Sequence, residues 1–239
     1  IEKLNQGKLV AFDQDVDSGE RVIEHDKLIF INHNFRFMKN FLKYLGFEQV
    51  DGILADFGLS SHHLDSPERG FAFRFDAPLD MRMNQQAQLT ASQVVNTYSA
   101  NDLYYILRNY GEINKARFLV NALLQKREEY EIDTTVKLVE ALEKYLPAKN
   151  RNKFLAKVFQ ALRIEVNQEV ENLKYFLKQS NEMLKKGGRL AVISYHSVED
   201  RIVKNFMKAG NFTGEREKDF YGNVHAPFKW VNKKVITPS

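Results

Sequence analysis

Four short apolar runs punctuate the chain. They are Lys8 to Asp13, where Leu9, Val10, Ala11 and Phe12 lead to an acidic end, Leu28 to Ile31, Val50 to Ala55, and Leu190 to Ser194. Runs of this length without polar alternation predict strands covered on both faces, as in a parallel sheet. Helical spacing lies between or before them: Phe37, Phe41, Leu42 and Leu45 form one apolar stripe, and Gly46 follows as a stop. Strands alternating with helices predict an α/β fold built on a doubly wound sheet.

From about Leu89 to Leu184 the period becomes helical throughout, which predicts an all-helical insert. Phe118, Ala122 and Leu123 mark one helix face; Val136, Val139, Leu142 and Leu146 mark another, stopped by Pro147. Val170, Leu173, Phe176, Leu177 and Leu184 then lead back to the core, and Gly187-Gly188 announces the next strand. The domain organisation expected is a core over 1–86, a helical insert over 87–170 and the core continued over 171–239. Past Gly210 comes a polar loop, and Phe228 to Ile236 alternates enough to predict an edge strand. A nucleotide-binding sheet of this kind opens with a strand and a glycine-rich turn, whereas Ile1-Glu2-Lys3-Leu4 reads as the tail of the helix after that turn. The expectation is that residues precede Ile1.

Composition narrows the classes. With 239 residues and 44% hydrophobic positions the chain can bury a sizeable core. It has no cysteine, and its six histidines do not fall at zinc-ligand spacings, so no metal site is expected. No apolar run approaches the roughly 20 residues of a membrane span, so a cytoplasmic protein without membrane contact is expected. The net charge of +4 is compatible with a polyanionic partner and by itself a weak sign of one.

Asp13 ends a predicted strand, where a carboxylate can accept both ribose hydroxyls of an adenosine-containing ligand. Capping of the following segment is an equal reading, with Asp15, Asp17 and Ser18 alongside. The run Asp51-Gly52-Ile53-Leu54-Ala55-Asp56-Phe57-Gly58-Leu59-Ser60-Ser61 delivers Asp56 and then a small-residue loop to the carboxyl edge of a sheet. Asp56 can accept hydrogen bonds from an amine there, while Gly58, Ser60 and Ser61 admit a flat substrate; a capped polar turn is the plainer reading. His63-Leu64-Asp65-Ser66-Pro67-Glu68-Arg69-Gly70-Phe71-Ala72-Phe73 and Pro78-Leu79-Asp80-Met81-Arg82-Met83 follow in a long irregular segment, and long ordered loops are usually functional.

These runs resemble, in order, the D-G-I-L-x-D-x-G-x-S-S, E-R-G-F-x-F and P-L-D-M-R-M hallmarks of the RsmH (MraW) family of ribosomal RNA cytosine-N4 methyltransferases. The resemblance continues through Tyr110-Gly111-Glu112, Phe159 to Asn167, and Ser194-Tyr195-His196-Ser197-Val198-Glu199-Asp200-Arg201, and spans nearly the whole chain. There are departures. Glutamine is common in the family at the position of His63, and H-P-A-T-R is common where this chain has Phe154-Leu155-Ala156-Lys157. The glycine-rich turn would fall ahead of Ile1, and a basic tail after Ser239.

The resemblance implies a Rossmann-like S-adenosylmethionine-dependent methyltransferase core interrupted by a helical domain, acting on the exocyclic N4 amine of a cytidine in 16S ribosomal RNA of the small subunit. It implies Asp13 at the cofactor ribose, Phe35 near the adenine, and Asp56 and His63 completing the cofactor site. Phe35 also reads as ordinary core. Methyl transfer rests mainly on positioning in a water-poor pocket. Asp56 is then the leading catalytic candidate, with Ser60 and Ser61 shaping the pocket. His196 reads either as a contact to the base or a phosphate or as a helix cap. Phe57 and Tyr195 are the nearest flat partners for an unstacked base. Arg69, Arg82 and Arg201 read as phosphate ligands or as partners of Glu68, Asp80 and Asp200. Lys149, Arg151, Lys153 and Lys157 read as an RNA grip or an exposed helix face. A homodimer is compatible with the sequence. The central expectation is that Asp13 and Asp56 face one cleft. A noncatalytic RNA-binding or ribosome-assembly protein, and an NAD-dependent oxidoreductase, are the competing readings; the second gives no role to D-x-G-x-S-S or P-L-D-M-R-M.

Overall fold

The structure, a computed structural model, describes residues 1, 4–19, 21–216, 220–221, 226–232 and 236. The chain divides into two compact units, Ile1–Asn34 with Leu59–Glu169, and Phe35–Gly58 with Val170–Ser239. Two pairs of parallel strands are found among the described residues, one pair in each unit, where the sequence predicts strands of a single doubly wound sheet.

In the first unit β1 (Leu9–Asp13) runs parallel to β2 (Leu28–Asn32), in register from Leu9 opposite Leu28 to Asp13 opposite Asn32. The crossover contains one short helical turn, α1 (Val16–Gly19). After α3 (Ser61–Asp65) and a 3-10 turn (Pro67–Arg69), the irregular segment 70–86 is pinned by its own sequence. Leu79, Met81 and Met83 alternate into the core, each less than a tenth exposed, while Asp80 and Arg82 between them form a bidentate pair. Arg82 also donates to the carbonyl of Ala87 at 2.6 Å, and Met81 N–H to the carbonyl of Arg69 at 3.0 Å. At Gly70, with φ +70, an added Cβ would run into the backbone of Pro78 and Asp80. The two hallmark runs are therefore packed on one another, which leaves no room for a side chain at residue 70.

Five helices carry most of this unit's core: α4 (Ala91–Thr97), α5 (Ala100–Asn109), α6 (Ala116–Glu129), α7 (Thr135–Leu142) and α8 (Arg151–Val166). Thr90, Ser99 and Thr134 start α4, α5 and α7 by accepting from backbone N–H groups of the first turn, and Gln93 closes a capping box with Thr90. The buried stripes run through Leu103, Ile106 and Leu107 of α5, through Leu119, Val120 and Leu123 of α6, and through Leu155, Val158 and Leu162 of α8. Phe118 and Val136, expected on buried faces, are exposed. Apolar residues cover more of α6 and α7 than their neighbours bury. Helix α7 ends at Leu142, and a 3-10 turn (Glu143–Tyr145) intervenes before Pro147.

In the second unit a 3-10 turn (Phe35–Phe37) opens α2 (Met38–Tyr44), which stops at Gly46 with φ +82 as Phe47 N–H returns to the carbonyl of Leu42. β3 (Val50–Asp56) runs parallel to β4 (Leu184–Ile193), which follows α9 (Glu169–Met183) directly. β4 begins before Gly187-Gly188 rather than after it. From Val50 opposite Leu184 to Gly52 opposite Arg189, β3 advances two residues and β4 five, so Lys185 to Gly188 form a bulge inside the strand. An added Cβ at Gly188 would meet the carbonyls of Asp51 and Lys185 at 2.9 Å, so glycine is needed for that close approach. α10 (Ser197–Ala209) buries Val198, Ile202, Val203 and Phe206 and ends at Gly210. Residues 228–232 carry no strand, and 233–235 of the expected edge strand lie outside the described residues, as do Glu2 and Lys3 of the opening segment. Among the described residues no helix is long and apolar enough to cross a membrane.

Candidate functional site

In the first unit three acids stand at alternate positions, Asp13 at the end of β1 and Asp15 and Asp17 after it, and each is used differently. Asp13 is half-buried; its Oδ1 accepts from Asp15 N–H at 2.9 Å and its Oδ2 from Ser18 Oγ at 2.7 Å. Its carboxylate thus shapes the turn after β1. A carboxylate offers about four acceptor positions, so ribose-type donors can still be accommodated. Asp15, 3% exposed, accepts from Asp17 N–H and places Oδ2 2.6 Å from His63 Nε2 and 3.4 Å from Arg69 Nη1. The His63 contact is a close approach without hydrogen-bond alignment, and it becomes an ion pair only when the ring is protonated.

Arg69 is buried, and its guanidinium ties three segments together. Nη1 reaches Asp15 and Asp17, the latter at 3.0 Å, while Nη2 donates to the carbonyls of Arg82 and Met83 at 3.1 and 3.0 Å. Its carboxylate partners are thus Asp15 and Asp17 rather than Glu68. A planar donor fork suits this task, because two acids and two carbonyls are satisfied at fixed angles. Arg82 pairs with Asp80, one of the two readings open for it, and Arg201 lies exposed on α10.

His63 is held from both sides. Ser60 Oγ lies 2.9 Å from Nδ1, and Ser60 N–H donates to the same nitrogen at 3.3 Å. Burial lowers the imidazole below its ordinary value; Asp15 opposes that shift and Arg69 adds to it. A neutral ring with Nδ1 accepting from Ser60 carries its hydrogen on Nε2, facing Asp15. Ser60 therefore positions His63, a role that sequence reasoning did not give it. Ser61 opens α3, and its side chain lies outside the described residues.

The second unit presents Asp56 at the exposed end of β3, opposite Ile193 of β4. Tyr195 Oη donates to Asp56 Oδ1 at 2.9 Å, and that carboxylate raises the phenol above its ordinary value, so the hydroxyl stays protonated. The Tyr195 ring covers Gly58, where φ is +104 and an added Cβ would fall 2.9 Å from Cδ2. Tyr195 remains 66% exposed. Phe57, by contrast, is buried in a three-ring cluster, 5.3 Å from Phe35 and 5.4 Å from Phe176 between centroids. Its faces are taken by protein, which removes it as a flat partner for a base and leaves Tyr195. Phe35 is half-buried and meets Phe176 edge-on at 5.7 Å.

His196 is the N-cap of α10: its Nδ1 accepts from Glu199 N–H at 3.4 Å, and Glu199 Oε2 accepts from Tyr195 N–H at 3.0 Å. This reciprocal arrangement is a relative of the capping box and holds the backbone of Tyr195. Of the two readings of His196, the cap is the one the geometry exhibits. The sequence offered Asp15 as a cap and Arg69 beside Glu68, and what it did not offer is the pairing of these two residues. Their only signal was the density of acids at 13, 15 and 17 and an arginine inside a run of small and aromatic residues.

The profile of the MraW methylase family matches residues 1–239. The ribosomal RNA small subunit methyltransferase H of Flavobacterium johnsoniae is 54% identical over 230 residues, 96% of this chain and 76% of that protein. The protein of the same name from Bacteroides thetaiotaomicron is 51% identical over 97% of this chain and 76% of its own length. That of Cytophaga hutchinsonii is 48% identical over 98% of this chain and 80% of its own length.

Proposed function

Because the chain belongs to the MraW methylase family, we propose that it methylates the exocyclic N4 amine of a cytidine in the 16S RNA of the small ribosomal subunit, with S-adenosylmethionine as donor. The observation that carries this reading is Asp56, an exposed carboxylate at a strand end, partnered by the hydroxyl of an exposed tyrosine beside a glycine.

S-adenosylmethionine supplies an electrophilic methyl group on a sulfonium. The acceptor amine is a poor nucleophile, since its lone pair is spread into the pyrimidine ring. Asp56 accepts one amine hydrogen and thereby localises that pair on nitrogen. Once methylated, the amine nitrogen would have a proton to lose, and Asp56 would be the group to take it. Tyr195 offers the base a flat face and, through its hydroxyl, orients the carboxylate. For the donor, Asp13 of the first unit retains acceptor capacity for ribose hydroxyls beside a neutral His63 held by Ser60 and Asp15, and Phe35 of the second unit is the residue that the family resemblance assigns to the adenine. We assign the core to 1–86 and 171–239 as a Rossmann-like methyltransferase and the helical stretch 87–170 to RNA recognition.

The test is transfer of labelled methyl from S-adenosylmethionine to small ribosomal subunits, followed by nucleoside mapping. N4-methylcytidine should form with the wild-type chain and not with Asp56→Ala. Retained transfer in that variant removes Asp56 from the mechanism, and a labelled product other than N4-methylcytidine overturns the assignment.

A further inference from the structure

The loop between α5 and α6, the exposed side of α6, the turn after α7 and the start of α8 enclose a cleft of about 670 Å³ within the first unit. Its walls combine two kinds of group. Phe118 is 55% exposed and faces Tyr145 with the two rings 26° from parallel and 6.2 Å apart, and Phe154 adds a third ring. Lys115, Lys144 and Lys157 supply charge, against one acid, Glu112.

The lysines have no acidic partner among the described residues, a trait they share with Lys149 and Lys153. Elsewhere in the same unit Lys126 and Lys137 are tied to Glu129 and Asp133 at 2.6 Å, and Arg151 to Glu143 at 2.7 Å. Among the described residues no ion pair holds Lys115, Lys144 or Lys157. Three cations against one carboxylate, around exposed aromatic rings, favour an anionic ligand that also has a flat face.

The backbone supports a built site. Glu112 adopts φ +51 at the rim, a conformation that side chains rarely take and that tends to collect at ligand sites. It follows Gly111, where an added Cβ would lie 2.9 Å from the carbonyls of Leu107 and Lys157, so that the end of α5 rests directly on the backbone of α8. The Tyr110-Gly111-Glu112 run, to which methyl transfer gives no role, thus sets this wall. Phe154 and Lys157 come from the segment Phe154-Leu155-Ala156-Lys157, where the chain departs from the family pattern.

We infer that this cleft holds an unpaired nucleotide of the RNA substrate, with its base stacked on Phe118 and Tyr145 and its phosphate held by Lys115, Lys144 and Lys157. The inference rests on the reading of an RNA substrate above. Stacking needs a base with a free face, which single strands offer and duplexes do not. An acidic peptide would satisfy the lysines and leave the two near-parallel rings unused.

The experiment is fluorescence anisotropy of a short labelled single-stranded RNA of mixed sequence on the full chain, over a series of salt concentrations. Phe118→Ala and Tyr145→Ala should each weaken binding about tenfold with the salt slope unchanged. Replacing the three lysines by alanine should lower that slope by about two. A duplex of equal length should bind more weakly and ignore Phe118→Ala. Unaltered affinity in both aromatic variants, equal sensitivity of the duplex, or displacement of the RNA by an acidic peptide with no response to Phe118→Ala would each overturn the proposal. Phe118 is more than half exposed, so its truncation spares the core. In methyl transfer, Phe118→Ala should raise KM and keep kcat. A wild-type chain that binds RNA in this way and transfers no methyl group refutes the enzymatic reading while leaving the cleft in place.

Discussion

Tyr195 and Gly58 are matched: the tyrosine ring lies across the space a side chain at residue 58 would fill, and its hydroxyl reaches Asp56 two residues earlier. Two runs far apart in the chain, Asp56-Phe57-Gly58 and Ser194-Tyr195-His196, are thereby read as one device. The glycine makes room for the ring, the ring carries the hydroxyl, and the hydroxyl orients the carboxylate.

Gly58→Ala tests that match. The substitution meets both a positive φ and a contact of 2.9 Å with the ring, so Tyr195 must move away from Asp56. We expect a loss of about 1–2 kcal/mol of stability in urea denaturation. Methyl transfer should fall much further than that loss explains at a temperature where the variant is folded. Wild-type turnover in the alanine variant would separate Gly58 from the site.

Tyr195 carries two separable functions. Tyr195→Phe keeps the flat face and removes the donor to Asp56, whereas Tyr195→Ala removes both. Stacking on an aromatic side chain contributes about 1–3 kcal/mol per base, so Tyr195→Ala should cost about ten- to hundredfold in kcat/KM. Tyr195→Phe should retain more. Equal loss in the two variants, measured on small subunits, would mean that the hydroxyl matters and the ring does not.

Arg69 and Asp15 are both less than a tenth exposed, and neither can be desolvated alone at small cost. Arg69→Met should destabilise the chain by about 3–5 kcal/mol, because it leaves a buried carboxylate without its counter-charge and two carbonyls without a donor. Asp15→Asn in the same chain should restore part of the loss. Chemical denaturation of the two single variants and the double variant measures the coupling, and additive losses would show that the pair does not act as a unit.

What the sequence revealed and what it concealed follow from range. All four strands were legible as apolar runs such as Leu9–Phe12 and Ile53–Ala55, but the cover expected on both faces is not seen among the described residues, where Leu9 is 42% and Leu54 71% exposed. The bulge at Lys185–Gly188 was not: a glycine pair marks a turn and an in-strand kink equally well, and only the close approach to Asp51 decides. Asp56 and Gly58 were legible through their position at a strand end. Phe57 between them was misjudged because alternation along the strand sends it to the opposite side, into the cluster with Phe35 and Phe176. Arg69 was singled out but its partners were not, since they lie more than fifty positions earlier and more than ten later in the chain. Charge pairing over such separations leaves no local pattern.

His63 gives the pH dependence its sign. Its imidazole sits between Ser60 and Asp15 with burial lowering it from the ordinary value of 6.5. The folded chain therefore binds this proton less readily than the unfolded chain does. Its contribution to stability is fully present above 6.5 and is lost as pH falls through that value toward the lowered folded one. Asp15 limits the loss, since a protonated ring beside its carboxylate is partly compensated. His63→Gln removes the titration while keeping a side-chain acceptor for Ser60 and a donor for Asp15. Thermal melting at pH 7.5 and 5.5 should show a larger drop for the wild-type chain than for His63→Gln, and equal drops would mean that His63 does not report this equilibrium.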